Sequence, residues 1–159
     1  MQARDIMSRS VITIAPDVSV QDAARLLADY RISGVPVVDE EQRILGILTE
    51  ADIIAKEGKT VADLMSVRVI SVREDTPVDD IARLLASNQI KRVPVLCGDQ
   101  VAGIVSRADI VRMMASRWVC PVCGEIQQGE NPDECSACGA SSAFFEHDVD
   151  PRTQISTRE

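Results

Sequence analysis

The chain has 159 residues, 45% of them hydrophobic but only 3% aromatic, and a formal net charge of −8. That length suits one domain of about 115 residues plus a small appendage, with a core built from Val, Ile, Leu and Ala. Charge is uneven: residues 1–116 carry 14 Lys or Arg against 17 Asp or Glu, and residues 117–159 carry 3 against 8, which makes nucleic acid a poor partner because phosphate backbones are held by clustered cations.

The opening MQARDIMSRS is charged and has no apolar h-region, and no run of about 18 apolar residues occurs, so neither a secretory signal nor a membrane span is expected, and a cytoplasmic location is. From Asp5 to Ile54 the chain then reads through a pattern that returns from Asp63 to Val111. Val35-Pro36-Val37 falls on Val93-Pro94-Val95 and Gly46 on Gly103, with one residue deleted near Gln42. A long unit present only twice predicts a pseudo-symmetric pair that closes on itself, with clefts between the halves, and not an open solenoid.

Within each copy the first element is a β-branched run, Val11-Ile12-Thr13-Ile14 or Val69-Ile70-Ser71-Val72, which reads as a buried strand. A helix follows. Ser19 with Asp22 has the form of a capping box, and Thr76 ahead of Pro77 marks the second start. Val20, Ala23, Ala24 and Leu27, like Val78, Ile81, Ala82 and Leu85, recur at helical spacing. Two strands come next, near Val35–Val38 and Ile44–Leu48, joined by the polar turn Asp39-Glu40-Glu41-Gln42, which shortens around Gly98-Asp99 in the second copy. A closing helix starts at Thr49 or Ser106, each followed three residues later by Asp52 or Asp109. The fold class is therefore α+β, two units of strand, helix, strand, strand, helix.

The segments GILTEAD and GIVSRAD, each preceded by an apolar-Pro-apolar strand, resemble the signature of the CBS domain, which occurs in tandem as the Bateman module. The resemblance covers about residues 3–115. It implies a regulatory module that binds adenosine-containing ligands (AMP, ADP, ATP, NAD or S-adenosylmethionine), and a homodimer, a flat disc of two pairs packed through their helices. It also places the clefts. One would combine Ser10, Ile12, Ile32, Ser33, Arg92, Ile104, Ser106 and Asp109; the other Ile47, Thr49, Asp52, Arg68, Ile70, Ile90 and Lys91. Thr49 and Ser106 would offer hydroxyl donors to phosphate, Asp52 and Asp109 would accept a ribose diol, and the cations would neutralise phosphate. The Asp109 cleft, facing Arg92, is expected to favour phosphorylated ligands more. The same residues also read as ordinary capping boxes with no ligand.

After Ser116 the composition changes. Cys120-x-x-Cys123-Gly124 and Cys135-x-x-Cys138-Gly139 bring four thiolates to the corners of a tetrahedron, a site for one zinc or iron ion that spacing alone does not separate. The segment resembles zinc ribbons and, more closely, the rubredoxin-like domain of rubrerythrins, with Trp118, Gly129, Pro132 and Phe144-Phe145-Glu146 in matching places. Metal binding would supply its folding energy. Cys97 reads as a small buried hydrophobe and His147 as a solvated side chain.

The expected organisation is residues 1–58 and 59–116 as the two CBS units, 117–147 as a zinc-ribbon or rubredoxin-like domain with four cysteine ligands, and 148–159 as a disordered tail. With one histidine and no catalytic set, an enzyme is not expected. The leading function is a sensor of adenine nucleotides whose metal-stabilised tail docks an unknown protein target. The alternatives are an iron-tetrathiolate redox protein tuned by nucleotide, and a zinc-ribbon transcriptional or docking adaptor.

Overall fold

In the computed structural model, which describes residues 1–128, 133–141, 146 and 147, the chain divides into two units, residues 1–110 and 111–159. In the first unit each repeat opens with a short helix that hydropathy does not announce, α1 (Ala3–Ile6) and α4 (Val61–Leu64). Each is a single turn closed by a capping box, Gln2 with Asp5 and Thr60 with Asp63. The long helices α2 (Val20–Asp29) and α5 (Val78–Ser87) begin at equivalent positions. Ser19 caps the first through the N–H of Asp22. Pro77, not Thr76, is the second N-cap; the Thr76 hydroxyl instead accepts the N–H of Arg73 at 3.0 Å.

The strands β1 (Gly34–Val38) and β2 (Ile44–Thr49) form one antiparallel hairpin, and β4 (Arg92–Cys97) and β5 (Gln100–Ser106) the other. The turns follow their chemistry: Asp39 accepts the N–H groups of Glu41 and Arg43, while Gly98 supplies a φ of 65°. Helices α3 (Glu50–Ala55) and α6 (Arg107–Ala115) leave the hairpins. The β-branched runs expected as strands shrink to an isolated parallel bridge between Ile14 and Val37, and to β3 (Val72–Arg73), which pairs with β4 in parallel. These runs make few ladder bonds because the hairpins pair mainly within themselves.

The repeats complete one another. Ser66 exchanges backbone hydrogen bonds with Ile47 of β2, at 2.9 and 3.0 Å, and Ser8 does the same with Ile104 of β5. The opening segment of each repeat thus lies against the hairpin of the other. Val61 and Leu64, from the second repeat, are 0% and 1% exposed in a core made by Ile14, Ala23, Leu27, Val35, Val37 and Leu48 of the first. Burying such side chains contributes about 1.5–3 kcal/mol each, so neither repeat has a full core alone.

In the second unit β6 (Arg117–Val119) pairs antiparallel with β7 (Ile126–Gln128) and β8 (Glu146–His147). Gly129, Pro132, Phe144, Phe145, the His147 side chain and the tail 148–159 lie outside what is described. Cys97 is exposed, not buried: it is the last residue of β4, beside the turn at Gly98 and Asp99. Among the described residues no helix is long and apolar enough to cross a membrane.

Candidate functional site

The two capping boxes repeat each other closely. Asp52 accepts the N–H and hydroxyl of Thr49, both at 2.9 Å, and Asp109 accepts those of Ser106 at 2.8 and 2.7 Å. The helix N–H of Asp52 or Asp109 returns to the hydroxyl oxygen at 3.3 Å. In this arrangement each hydroxyl donates within its own box. Asp52 is 8% exposed and also takes Lys56, whose Nζ lies 2.7 Å from Oδ1 and 2.8 Å from the carbonyl oxygen of Leu64. Burial works to raise the Asp52 carboxyl, but Lys56 and the Thr49 donors outweigh it and hold the group below its ordinary value.

A cavity of about 440 Å³ opens beside this box. Ile47, Thr49, Asp52, Arg68, Ile70, Ile90 and Lys91 all line it, together with Glu50, Ala51, Ser66 and Gln89, which the sequence does not single out. Ser66 arrives with the exchanged segment, so only the exchange itself signals it. Lys56 is within reach of the sequence, being four residues from Asp52 on one helix face. Ser33 and Arg92, assigned to the opposite cleft, also line this cavity.

Arg92 reaches across the repeats: its guanidinium donates to the Ser33 hydroxyl at 3.1 Å and, at 3.4 Å, to the Gly34 carbonyl. Its Nε is buried with no hydrogen-bond partner. Burial pushes the guanidinium below its ordinary value, against the pull of Asp109 and Glu50. Of the other residues given to the Asp109 side, Ile12 and Ile32 pack against the first repeat's core, Ser10 is exposed, and Ile104 pairs with Ser8.

In the second unit the four sulfurs of Cys120, Cys123, Cys135 and Cys138 lie within 4.8 Å of one another. Cys120 and Cys138 are 3.7 Å apart, and Cys123 and Cys135 3.6 Å. A tetrahedron with metal–sulfur bonds of about 2.3 Å has edges of about 3.8 Å, so the donor set fits a tetrathiolate ion. Two matching turns set it: Gly124 and Gly139 donate to the carbonyls of Cys120 and Cys135 at 2.8 and 2.9 Å, with φ of 77° and 71°. The N–H of Cys123, helped by that of Val122, draws the Cys120 thiol down to about 7. The Cys123 thiol is pushed up to about 12, because burial and the surrounding sulfurs outweigh the N–H of Glu125. Four thiolates so close need a cation between them.

The CBS domain family matches residues 3–58 and again 61–116, and the chain belongs to it. The family described as rubrerythrin, rubredoxin-like domain matches residues 118–146, so a rubredoxin-like domain follows the pair. Among curated proteins, the inosine-5'-monophosphate dehydrogenase of Methanocaldococcus jannaschii is 34% identical over 114 residues, 70% of this chain and 23% of that protein. The chain thus spans about a quarter of the length of such relatives. The CBS domain-containing protein YhcV of Bacillus subtilis is 32% identical, over 67% of this chain and 81% of that protein. Among solved structures, the CBS domain pair of protein MJ0100, in complex with 5'-methylthioadenosine and S-adenosyl-L-methionine, is 36% identical with a TM-score of 0.67, covering 72% of this chain and 95% of that one. CBSX2 in complex with AMP is 30% identical with the same TM-score of 0.67, covering 70% and 93%.

Proposed function

We propose that the chain is a regulatory module that binds an adenosine-containing ligand in the Asp52 cavity. The observation that carries this reading is a half-open cavity in which a buried carboxylate, three isoleucines (Ile47, Ile70 and Ile90) and three cations (Arg68, Lys91 and Arg92) meet. The isoleucines offer apolar faces to a base, and Asp52 keeps acceptor capacity for a ribose hydroxyl. The AMP complex of CBSX2 and the methylthioadenosine and S-adenosylmethionine complex of MJ0100 support the ligand class. We propose Ser10, Ile12, Ile32, Ser33, Arg92, Ile104, Ser106 and Asp109 as a related second cleft, with Ser33 and Arg92 shared between the two.

Binding moves an equilibrium only through different affinities for its two states. Because each repeat's hairpin is clamped by the other's opening segment, a ligand between hairpin and segment is placed to alter how the repeats engage. We propose further that the module is regulatory and not catalytic, that its output passes to a partner protein, and that the chain acts as a homodimer in the cytoplasm. Calorimetric titration of the metal-loaded protein with AMP, ATP, NADH and S-adenosylmethionine tests this: Asp52→Ala abolishes saturable binding. Affinity unchanged in Asp52→Ala removes this site, and binding lost only in Asp109→Ala moves it to the second cleft.

The rubredoxin-like match favours a second reading, in which the cysteine cluster holds iron and carries one electron. Zinc in the same cluster makes it a structural docking knob. Visible absorption of the purified protein decides, since ferric tetrathiolate absorbs and zinc does not.

A further inference from the structure

The internal symmetry of the chain separates what the two clefts share from what only one has. Ile47, Thr49, Asp52, Ile70 and Ile90 have Ile104, Ser106, Asp109, Ile12 and Ile32 at the equivalent positions. The cations do not repeat. Arg68, Lys91 and Arg92 fall on Ser10, Ser33 and Gly34, and Lys56 falls on Met113. Every positive charge on the Asp52 side therefore stands opposite an uncharged residue, while the parts suited to a nucleoside are kept in both copies.

We propose that the Asp52 cavity selects a phosphorylated adenosine over an adenosine sulfonium, with Arg92 as the residue that sets this specificity. The inference rests on the adenosine reading above and adds the charge class. Arg68, Lys91 and Arg92 line the cavity against Glu50 and Asp52. Asp52 is already paired with Lys56 at 2.7 Å, so counting Lys56 the site holds four cations and two anions. A sulfonium gains little from a carboxylate that is neutralised, and meets the remaining cations as a repulsion.

Arg92 is the focus because it alone of the three lining cations is partly buried, with an N–H that no partner meets. Its terminal nitrogens each make one neutral hydrogen bond, to Ser33 and Gly34, its Nε has none, and the carboxylates of Asp109 and Glu50 attract it without a hydrogen bond to it. A guanidinium offers five N–H donors in a fork that matches a phosphate, and a half-buried one with no carboxylate bonded to it is costly until an anion arrives. Arg68 and Lys91 are exposed and add attraction without geometry.

The test uses full-length, metal-loaded protein and titrates adenosine, 5'-methylthioadenosine, AMP, ATP, S-adenosylmethionine and inorganic pyrophosphate. AMP should bind at least about tenfold more tightly than adenosine, and S-adenosylmethionine more weakly than adenosine. Arg92→Gln should remove that AMP advantage, lowering AMP affinity at least about tenfold more than adenosine affinity, and Lys56→Met should improve S-adenosylmethionine relative to AMP. Equal or tighter binding of S-adenosylmethionine than AMP overturns the proposal, as does an Arg92→Gln variant that weakens adenosine and AMP equally. Pyrophosphate separates the two readings. Pyrophosphate binding that Arg92→Gln abolishes, without any nucleoside binding, keeps the anion site and removes the adenosine reading; no binding by any compound removes both.

Discussion

Arg92 donates a hydrogen bond to the carbonyl of Gly34, the residue that occupies its own position in the first repeat. A Cβ on Gly34 would stand 3.2 Å from the Leu48 carbonyl oxygen and 3.3 Å from the Thr49 methyl, so the first repeat has little space for a side chain at this position. Duplication gave a symmetric frame, and one glycine–arginine pair turned it into an asymmetric site.

A half-buried guanidinium with no carboxylate bonded to it is a load on the free protein. Arg92→Met should therefore leave the stability of the ligand-free protein within about 1 kcal/mol of the parent, or raise it. Urea denaturation without ligand checks this. A loss of several kcal/mol would mean that the bonds to Ser33 and Gly34 are a main tie between the repeats.

The glycines of the two hairpins make a second comparison. A Cβ at Gly46 would lie 2.8 Å from the carbonyl oxygen of Ser66, a backbone atom fixed by its pairing with Ile47; at Gly103 the nearest atom is the Met7 sulfur at 2.6 Å, with the Ser8 carbonyl oxygen at 3.0 Å. Backbone cannot yield as a methionine can. Gly46→Ala should cost about 1–3 kcal/mol and Gly103→Ala less, measured by urea denaturation. The reverse order would show that Met7 has no room to turn.

These glycines show where the sequence is legible and where it is not. The helices from Val20 and Val78, the two hairpins, the boxes at Thr49 and Ser106 and the cysteine quartet are all written in local signals: apolar spacing, turn residues and cap residues. One failure is local, the Thr76 cap, whose hydroxyl turns to the N–H of Arg73; the larger ones are non-local. Val11–Ile14 reads as a strand because β-branched residues suit one, yet only Ile14 finds a partner. The opening helices leave no periodic signal because four residues carry no period, so their caps, Gln2 with Asp5 and Thr60 with Asp63, stand without an apolar pattern, and Ala3, Val61 and Leu64 bury themselves against the other repeat. Register puts Arg92 on the Asp109 side, opposite Ser106; its long side chain crosses to Ser33 and lines the Asp52 cavity.

For the cysteine cluster, Cys120→Ser should lower bound metal from one ion per chain to nearly none, read by elemental analysis. The hydrogen-exchange protection of residues 117–128 should fall with it, since metal binding supplies this unit's folding energy. Melting of the CBS pair should stay where it was, because residues 1–110 form a unit of their own with their own core. Full metal retention would exclude Cys120 as a ligand.

Asp52 gives the chain a predictable acid sensitivity. Its carboxyl is held below the ordinary value by Lys56 and by the Thr49 N–H and hydroxyl, which win over burial. A group depressed in the folded state stabilises above its unfolded value, near 3.9, and the contribution disappears as pH falls through the folded value. The stability of the parent over Asp52→Asn should therefore be flat between about pH 5 and 8, at about 1–3 kcal/mol for a buried acceptor of this kind, and shrink below about pH 4. Urea denaturation of both proteins across that range measures it. A difference that grows on acidification would mean that the buried carboxylate costs more than its three donors return.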